Sequence, residues 1–517
     1  MFISDITRKN ASIYPNRVAL IDGDVKINFF EFNQRVNRLA NAILNLGLSK
    51  GDRVAVLSEN VYQYMVLYFA CAKAGLPIVP LNYRSASEEL AYVIDDSSAK
   101  LIFFGSGYLN VVKEIEKRCS SITGLICINQ ELSGLLFYED LLKKASSTEP
   151  DVKIEEDDIV VLGYTGGTTG RPKGVMTTHK NLVSSCFNSV IAVEIRPGNI
   201  LLNVPPVFHA GDAMAMFAFF FVGATNVMLS AFSPEAVVKT IEQQSVTHAL
   251  VVPTMILAIL RYPELSDFNI KSLECVIYGT APMPTEPLRK AIEIFRCKFL
   301  QVYGATETFV PISTLSSEDH VLQGSPEQTR RISSAGREVI GVEIKIADDD
   351  DKEVPIGDMG EVIVRGDNVM KGYWKLPELT RETLRNGWYH TGDIGKMDED
   401  RYVYIVDRKK DMIISGGENI YPQEIENVLF QHPGVAEAAV IGVPDDTWGE
   451  AIKALVVRTA GSTVTEAELL EYCKQNLASF KKPQSVDFVD TLPHSTAGKV
   501  LKYEIRAQYW KGSDRKV

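Results

Sequence analysis

The stretch Tyr164-Thr-Gly-Gly-Thr-Thr-Gly-Arg-Pro-Lys-Gly174, called the glycine-rich loop below, has four glycines and three threonines in 11 residues. It follows the apolar run Ile159-Val-Val-Leu162, which predicts a buried strand. Glycines let backbone N–H groups turn toward an anion, and hydroxyls and a lysine can complete a phosphate cradle. It is not a Walker loop, because Arg171-Pro172 follows Gly170 where such a loop requires lysine. The pattern therefore predicts a phosphate-binding loop at the end of a strand.

The chain on both sides of this loop alternates between helical and strand patterns. Apolar residues at helical spacing from Phe32 to Ile43 predict a helix that stops near Gly47. Short apolar runs predict the strands between the helices. Alternation of this kind predicts an α/β fold with helix-covered, mostly parallel sheets. The strands expected from the pattern are 53–57, 78–79, 101–104, 200–204, 225–229, 249–252 and 275–278.

The pattern changes after about residue 330. Alternating residues in Val342-Glu-Ile-Lys-Ile346 and Gly360-Glu-Val-Ile-Val-Arg365 predict a β-hairpin, and the four aspartates 348–351 are expected to form its solvated tip. From 412 the pattern becomes that of a small α+β unit. We therefore expect an N-terminal domain over 1–406 with a β-rich part over about 330–406, a polar linker over 407–411 and a C-terminal domain over 412–517.

Composition limits the partners and the compartment. The 517 residues include 54 basic and 66 acidic side chains, a net charge of −12 that makes nucleic acid an unlikely main partner. The seven cysteines form no CxxC pair, which favours free thiols in a reducing compartment. The N-terminus lacks a signal-peptide pattern. The longest apolar run, 213–224, is 12 residues long, short of the roughly 20 that cross a membrane. A cytoplasmic protein is expected.

Six motifs in chain order resemble those of the adenylate-forming superfamily, which includes acyl-CoA synthetases, adenylation domains and luciferases. The resemblance covers essentially the whole chain and is closest to fatty-acid– or aryl-acid–CoA ligases. It implies a large N-terminal domain and a small C-terminal domain that moves on a hinge. The motifs are the glycine-rich loop, Tyr303-Gly-Ala-Thr-Glu-Thr308, Tyr389-His-Thr-Gly-Asp393, Asp407-Arg-Lys-Lys-Asp-Met-Ile413, Gly416-Gly-Glu-Asn-Ile-Tyr-Pro422 and Pro493-His-Ser-Thr-Ala-Gly-Lys499.

The resemblance implies a site for ATP and AMP. Asp393 can accept both ribose hydroxyls, and Arg408 is similar to the family's second ribose contact. Thr280 departs from the Gly-Gly or Gly-Ala usual in the adenine-side loop. The implied nucleotide contacts are Thr165, Gly166, Gly167, Thr168, Thr169, Lys173, Gly279, Thr280, Ala281, Pro282, Gln301, Val302, Tyr303, Gly304, Ala305, Thr306, Asp393, Arg408 and Lys499.

Activation of a carboxylate brings two anions together, so the reaction needs fixed positive charge, a metal and oriented donors. Glu307 is a hard ligand suited to Mg²⁺, together with Thr168, and Thr306 can donate to the α-phosphate. Lys499 suits a bridge between the carboxylate and the α-phosphate, since its ammonium is a point charge on a flexible stem. The catalytic candidates are therefore Lys499, Glu307, Thr306 and His209.

The resemblance also suggests where the second substrate and the hinge lie. Lys410 occupies the family's hinge position. In the coenzyme A ligases of this family, the stretch after the hinge lines the tunnel for the pantetheine arm. Here that stretch is Ser415, Gly416, Gly417 and Glu418. ATP, Mg²⁺ and coenzyme A are therefore the expected cofactor and co-substrates.

The acid is expected to bind in an apolar pocket formed by His209, Met214, Phe217 and Gly304. Relatives that activate amino acids have an aspartate at the position of His209, so an acid without an α-amino group is expected. Asp212 leaves an amine anchor open. The methionines of 213–221 favour a flexible fatty acid over a rigid aryl acid. Whether the chain is a monomer or a homodimer stays open.

Two alternatives to a coenzyme A ligase remain. The acyl group could pass to a carrier protein or another acceptor. A nucleotide-binding regulator without catalysis is disfavoured, because Lys499, Glu307 and Asp393 are all present.

We predict that Lys499→Ala slows adenylate formation by a factor on the order of 10²–10³ and largely spares thioester formation from supplied acyl-AMP. The lysine acts while the carboxylate and phosphate charges approach each other. Separate assays of the two half-reactions check this. Equal loss in both would contradict the role assigned to Lys499.

Overall fold

The computed structural model describes residues 1–165, 171–280, 283, 285–416, 418–445, 447–494 and 500–510. Strands and helices alternate through the first 300 residues, and short antiparallel strands follow. In chain order the strands are β1 (Val18–Asp22), β2 (Val25–Asn28), β3 (Val54–Leu57), β4 (Ile78–Pro80), β5 (Leu101–Phe104), β6 (Gly124–Cys127), β7 (Leu136–Phe137), β8 (Ile159–Thr165), β9 (Lys173–Thr178), β10 (Ile200–Asn203), β11 (Thr225–Met228), β12 (His248–Val251), β13 (Cys275–Gly279), β14 (Lys298–Tyr303), β15 (Ser313–Leu315), β16 (Arg337–Glu338), β17 (Val342–Ala347), β18 (Gly360–Gly366), β19 (Gly372–Tyr373), β20 (Leu384–Arg385), β21 (Trp388–Met397), β22 (Val403–Arg408), β23 (Ile413–Ser415), β24 (Glu418–Ile420), β25 (Val435–Asp445), β26 (Gly449–Arg458) and β27 (Ser485–Phe488).

The helices pack mainly on the faces of the sheets. Several begin where the sequence offers a cap: the Asn28 side chain accepts the N–H of Glu31 at the start of α2, and proline is the first residue of α14. The helices are α1 (Asp5–Ile13), α2 (Phe29–Asn45), α3 (Tyr62–Ala74), α4 (Ser87–Ser97), α5 (Leu109–Arg118), α6 (Tyr138–Lys144), α7 (His179–Val193), α8 (Ala210–Phe221), α9 (Pro234–Gln244), α10 (Pro253–Leu260), α11 (Thr285–Phe295), α12 (Pro326–Arg331), α13 (Pro377–Thr383), α14 (Pro422–Leu429), α15 (Glu466–Asn476) and α16 (Lys502–Tyr509).

Two large sheets form the N-terminal part of the chain. One has the order β19-β9-β8-β4-β3-β5-β6-β7, and the other β16-β15-β14-β13-β12-β10-β11-β1-β2. Within each sheet the central strands are parallel and antiparallel pairs occur toward the edges. The predicted α/β class with mostly parallel sheets is confirmed, and the seven expected strands exist with each end shifted by at most one residue.

Helices α3 and α8 lie in the main core. Helix α3 is buried along nearly its whole length, and α8 is buried from Asp212 to Phe220. The two helices touch through aromatic rings: Tyr68 and Phe69 of α3 lie with centroids 5.3 and 5.2 Å from that of Phe217 in α8. A helix that is apolar on all sides must be covered on all sides. This requirement explains why both helices are enclosed.

The β-rich part is an antiparallel sheet in which β18 lies between β17 and β21, and β22 pairs with β21. The expected hairpin is confirmed, but its tip is not simply solvated. The Asp351 side chain is only 12% exposed, because the guanidinium of Arg385 holds it at 2.7 Å. A run of like charges in a sequence does not reveal partners that lie far along the chain.

The last part of the structure has its own small core. Strands β25, β26 and β27 form a sheet, and α14 and α15 pack with it around Ile425, Leu429 and Leu469. Asp407 and Arg408, the first two residues of the expected polar linker, are also the last two residues of β22. The domain boundaries remain predictions.

All seven cysteines are free thiols, six of them buried. None of the helices in the described ranges is both long and apolar enough to span a bilayer.

Candidate functional site

The predicted nucleotide residues gather where the parallel strands end. The two described ends of the glycine-rich loop face each other, since Thr165 of β8 pairs with Lys173 of β9. Strand β13 ends at Gly279 and β14 at Tyr303. In open α/β sheets, ligands bind beyond the carboxyl ends of the strands. Several predicted residues lie outside the described part of the chain: Gly166, Gly167, Thr168, Thr169, Ala281, Pro282, Gly417 and Lys499.

The end of β13 has no room for a side chain. A Cβ atom added to Gly279 would lie 2.2 Å from the carbonyl oxygen of Val302 on the neighbouring strand. The next residue, Thr280, has a φ of 68°, in the left-handed region that strains a β-branched residue. Gln301 is held behind this loop by a 3.4 Å hydrogen bond from the Tyr278 hydroxyl. The departure from the family at Thr280 therefore carries a backbone cost that glycine would avoid.

The two predicted ribose contacts form an ion pair between the buried Asp393 and the partly exposed Arg408. Arg408 Nε lies 2.6 Å from Asp393 Oδ1, and the Tyr303 hydroxyl donates to Asp393 Oδ2 at 2.5 Å. Burial and the Asp393 carboxylate raise the pKa of Tyr303 well above its ordinary value, so the hydroxyl keeps its proton and stays a donor. A carboxylate has about four acceptor positions, so Asp393 retains capacity for sugar hydroxyls.

Glu307, the predicted Mg²⁺ ligand, is oriented by a residue that the sequence did not single out. The Tyr373 hydroxyl donates to Glu307 Oε1 at 2.8 Å, and the Met370 N–H bonds the Glu307 carbonyl at 2.7 Å. Burial and the Glu307 carboxylate raise the pKa of Tyr373. A single sequence holds no signal for this pairing, because 66 residues separate the partners.

The donor set fits Mg²⁺ bound with phosphate. Mg²⁺ usually takes one or two carboxylates and completes its shell with water and phosphate oxygens. The described residues hold no cluster of three or more histidine, cysteine, aspartate or glutamate side chains that could bind a metal alone. Glu307 would thus act with oxygens of ATP rather than in a cage made of protein.

A small cavity joins the phosphate side to the predicted acid side. It has a free volume of about 30 Å³ and is lined by His209, Ala210, Ala213, Tyr164 and Thr306, among others. The Thr306 methyl group lies 3.6 Å from where a Cβ on Gly163 of β8 would stand. Strand β10 ends at Asn203, and His209, a predicted catalytic and acid-pocket residue, directly precedes α8.

A second cavity, almost entirely apolar, lies between α7, α8 and the ends of β12, β13 and β14. Its free volume is about 10 Å³, so an acyl chain must displace side chains to enter. Met214 lines it, and the Ser189 hydroxyl donates to the Met214 sulfur at 2.6 Å. Phe217 and Gly304 line neither of these two cavities. Phe217 is fully buried among aromatic rings, and a Cβ on Gly304 would lie 3.0 Å from Val310. Their place in the acid pocket remains a prediction.

Asp212 is a buried acid that the sequence left open as an amine anchor. It is 1% exposed, and within the described chain neither carboxyl oxygen has a hydrogen-bond partner. Burial raises the pKa of Asp212 well above its ordinary range. Asp212 is therefore held neutral and does not offer a negative charge to an ammonium group.

The predicted hinge is tied to the C-terminal part of the chain by hydrogen bonds. The Lys410 carbonyl accepts from Arg506 at 3.0 Å, and Asp407 Oδ2 accepts the N–H of Gln423 at 2.8 Å. In the predicted coenzyme A stretch, Ser415 of β23 pairs with Glu418 of β24. Gly416 has a φ of 60°, and a Cβ there would lie 2.7 Å from Trp448.

We predict that Asp212→Asn raises the melting temperature at pH 8 and that the gain shrinks toward pH 4. Asp212 keeps its proton in the folded chain, whereas in the unfolded chain it ionises above about pH 4. Rising pH therefore favours unfolding of the wild type, and the amide removes this linkage. Thermal melts across the pH range check this.

Asp140→Asn serves as the control, because Asp140 also lies in the first turn of a helix but is exposed. Its effect should be small. A stability difference for Asp212→Asn that does not change with pH would contradict the neutral state.

Comparison with known proteins identifies the family. Residues 7–374 match the family described as AMP-binding enzyme, and 424–499 match the AMP-binding enzyme C-terminal domain. A feruloyl-CoA synthase from Amycolatopsis is 38% identical over 97% of this chain and 98% of its own. A fatty acid–[acyl-carrier-protein] ligase, ScoC, from Streptomyces coeruleorubidus is 35% identical over 99% of this chain and 97% of its own.

The fold agrees with these matches. A solved Mycobacterium tuberculosis fatty acyl CoA synthetase superposes with a TM-score of 0.79 at 33% identity, covering 98% of each chain. The chain therefore belongs to the AMP-binding enzyme family, within the adenylate-forming superfamily, and is an AMP-forming acid–thiol ligase.

Proposed function

We propose that the chain is an ATP-dependent carboxylic acid–CoA ligase for an apolar acid, with a fatty acid preferred over an aryl acid. One observation carries the proposal: Thr306, expected to contact the α-phosphate, and His209, expected to line the acid pocket, line the same cavity. The apolar cavity lies farther along α8. This arrangement supports a reaction between a nucleotide phosphate and the carboxylate of an apolar molecule.

In the first half-reaction, a carboxylate oxygen attacks the α-phosphorus of ATP and pyrophosphate leaves. Asp393 and Arg408 hold the ribose, Thr306 donates to the α-phosphate, and Lys499 bridges the carboxylate and the phosphate. Mg²⁺ neutralises phosphate charge when bound, with Glu307 and Thr168 as its protein ligands. Fixed donors of this kind stabilise charge that develops in the transition state.

In the second half-reaction, the thiolate of coenzyme A attacks the acyl carbonyl and AMP leaves. Rotation of the C-terminal domain about Lys410 brings the turn at Ser415–Glu418 to the acyl-AMP, and the pantetheine arm passes this turn. The contacts at the hinge support this motion. Asp407 accepts the N–H of Gln423, the Lys410 carbonyl accepts from Arg506, and such hydrogen bonds can exchange when the domain turns.

The pocket chemistry supports an acid without an amine. His209 and the neutral Asp212 leave the acid side without a fixed negative charge. An unpaired ammonium in an apolar site costs several kcal/mol. The flexible Met214 and the alanines 192, 215 and 218 allow the narrow cavity to open for a chain.

Transfer to a carrier protein is the second candidate, and the similarity to ScoC favours it. Parallel assays with coenzyme A and with a phosphopantetheinylated carrier protein separate the two acceptors. Acyl transfer to the carrier alone would replace the coenzyme A assignment and leave adenylate formation in place.

We predict that kcat/KM for a medium-chain fatty acid exceeds that for leucine by more than roughly a hundredfold. The reason is the missing partner for the ammonium group. Pyrophosphate release over fatty, aryl, dicarboxylic and amino acids measures this. Leucine within tenfold of the best acid would contradict the prediction, and benzoate above every aliphatic acid would reverse the fatty-acid preference alone.

We predict that Ala218→Leu narrows the apolar cavity and lowers kcat/KM for dodecanoate about tenfold or more, with butyrate changed less than about threefold. Ala467→Leu is the matched control, because it makes the same substitution at an exposed position of α15 that does not line the cavity. The measurement is a chain-length series for both variants. Equal losses for short and long acids would place the acyl chain elsewhere.

A further inference from the structure

We infer that Glu361 is a positioning residue that fixes both the ribose-binding turn and the residue before the hinge. The ribose turn is defined here as Thr391, Gly392 and Asp393. The inference rests on the proposed function, since it concerns how the nucleotide is held. It assigns a role to the acidic hairpin tip and its surroundings, which that function did not use.

The ribose turn lies where the sheet ladder is irregular. Strand β18 pairs with β21 at Glu361–Ile394 and again at Ile363–His390, with a register shift between them. Val362 alone therefore faces the three residues of the turn. Gly392 has a φ of 72°, a conformation that suits glycine. On the β18 side the ladder cannot hold the turn, and on the other side the pairing with β22 begins only at Asp393, opposite Arg408.

Side chains hold the turn instead. Glu361 Oε1 accepts the N–H of Gly392 at 3.0 Å. The Thr391 hydroxyl donates to the Val362 carbonyl at 2.6 Å and accepts the N–H of Asp393 at 3.0 Å. The backbone of the ribose turn thus depends on the side chains of Glu361 and Thr391, whereas Arg408 and Tyr303 hold the Asp393 carboxylate itself.

The second oxygen of Glu361 reaches the hinge. Lys409 Nζ lies 3.4 Å from Glu361 Oε2 and 2.8 Å from Asp349 of the acidic tip. The Lys409 N–H also donates to the Gly392 carbonyl at 2.9 Å. Gly392 is therefore held on both sides, by Glu361 through its N–H and by Lys409 through its carbonyl. Lys410, the predicted pivot, comes next.

The surrounding charges explain why this carboxylate stays in place. The Glu361 side chain is 9% exposed, and a buried carboxylate needs partners. His390 Nδ1 lies 3.5 Å from Glu361 Oε2, and His390 Nε2 lies 3.5 Å from Asp351 Oδ1. Arg385 in turn holds Asp351. Asp349 and Asp351 of the acidic tip thus extend this network through Lys409, His390 and Arg385, with Asp349 on the solvent side and Asp351 mostly covered.

A positioning role for Glu361 and a purely stabilising role predict different kinetic changes when Glu361 is replaced. A residue that only stabilises the fold changes the folded fraction, which lowers kcat and leaves KM unchanged. A residue that positions the ribose turn changes nucleotide affinity. The test therefore separates KM for ATP from kcat, and it measures AMP binding directly without any acid.

The experiment compares Glu361→Ala, Glu361→Gln, Lys409→Met and the double variant of Glu361→Gln with Lys409→Met against wild type in the full chain. Calorimetric titration gives the Kd for AMP, ATP–pyrophosphate exchange gives KM and kcat, and thermal melts report folding. The matched control is Glu343→Gln, because Glu343 lies on the neighbouring strand in an exposed pair with Arg365.

We expect Glu361→Ala to weaken AMP binding and raise KM for ATP about tenfold or more, as loss of a hydrogen bond to a charged group does. The kcat should stay within about threefold. The glutamine of Glu361→Gln can still accept the N–H of Gly392, so this variant should weaken AMP binding less than Glu361→Ala does. Adding Lys409→Met to Glu361→Gln should change the Kd for AMP little further. The control should not change.

Three outcomes would overturn the inference. AMP affinity within twofold of wild type in both Glu361 variants is one, and a loss of kcat at constant KM is another. Full additivity of Glu361→Gln and Lys409→Met would remove the link to the hinge. If the wild type binds no AMP, the proposed function itself fails, whereas normal exchange in Glu361→Ala overturns only the role of Glu361. Should Glu361→Ala not fold, the other two variants still decide.

Discussion

Helices α3 and α8 are apolar on nearly every face, so each needs a cover on all sides, and the structure encloses them in one core shared by the two large sheets. The aromatic contacts between Tyr68, Phe69 and Phe217 join the helices to each other. This packing brings Tyr164, near the end of β8, and His209, just before α8, to the lining of one cavity. The two residues lie far apart in the sequence.

Polar contacts hold the predicted nucleotide residues in place on this apolar core. Arg408 and Tyr303 both contact the buried Asp393, and Tyr373 orients Glu307. Each of these charged side chains has a partner within hydrogen-bond distance, as a covered charge requires. The proposed sites for ribose and metal would thus be partly formed before ligand binds, which lowers the cost of ordering them.

The predicted acid side differs from the nucleotide side in the polarity of its walls. Its walls are apolar, its free volume is small, and its nearby carboxyl, Asp212, is neutral. Such a site discriminates by desolvation and shape rather than by charge. The contrast between a charged nucleotide side and an uncharged acid side fits the chemistry of a family whose members join these two kinds of molecule.

The sequence by itself determined the fold class, the order of most strands and the family. These depend on local periodicity and on six motifs that are contiguous in the chain. It also placed Asp393 and Arg408 in one site, since each lies in such a motif. It did not reveal the ion pair between Asp351 at the hairpin tip and Arg385, because such pairs depend on residues that lie far apart in the sequence.

Only the tertiary structure decided the contacts that join the motifs. Tyr373 to Glu307, Glu361 to Gly392 and Lys409, and the neutral state of Asp212 all depend on which side chains packing brings together. No spacing rule in the sequence carries this information. Packing also sets the free volume of the apolar cavity beside α8 at about 10 Å³. The size of such a void follows from how neighbouring side chains interdigitate and not from their order along the chain.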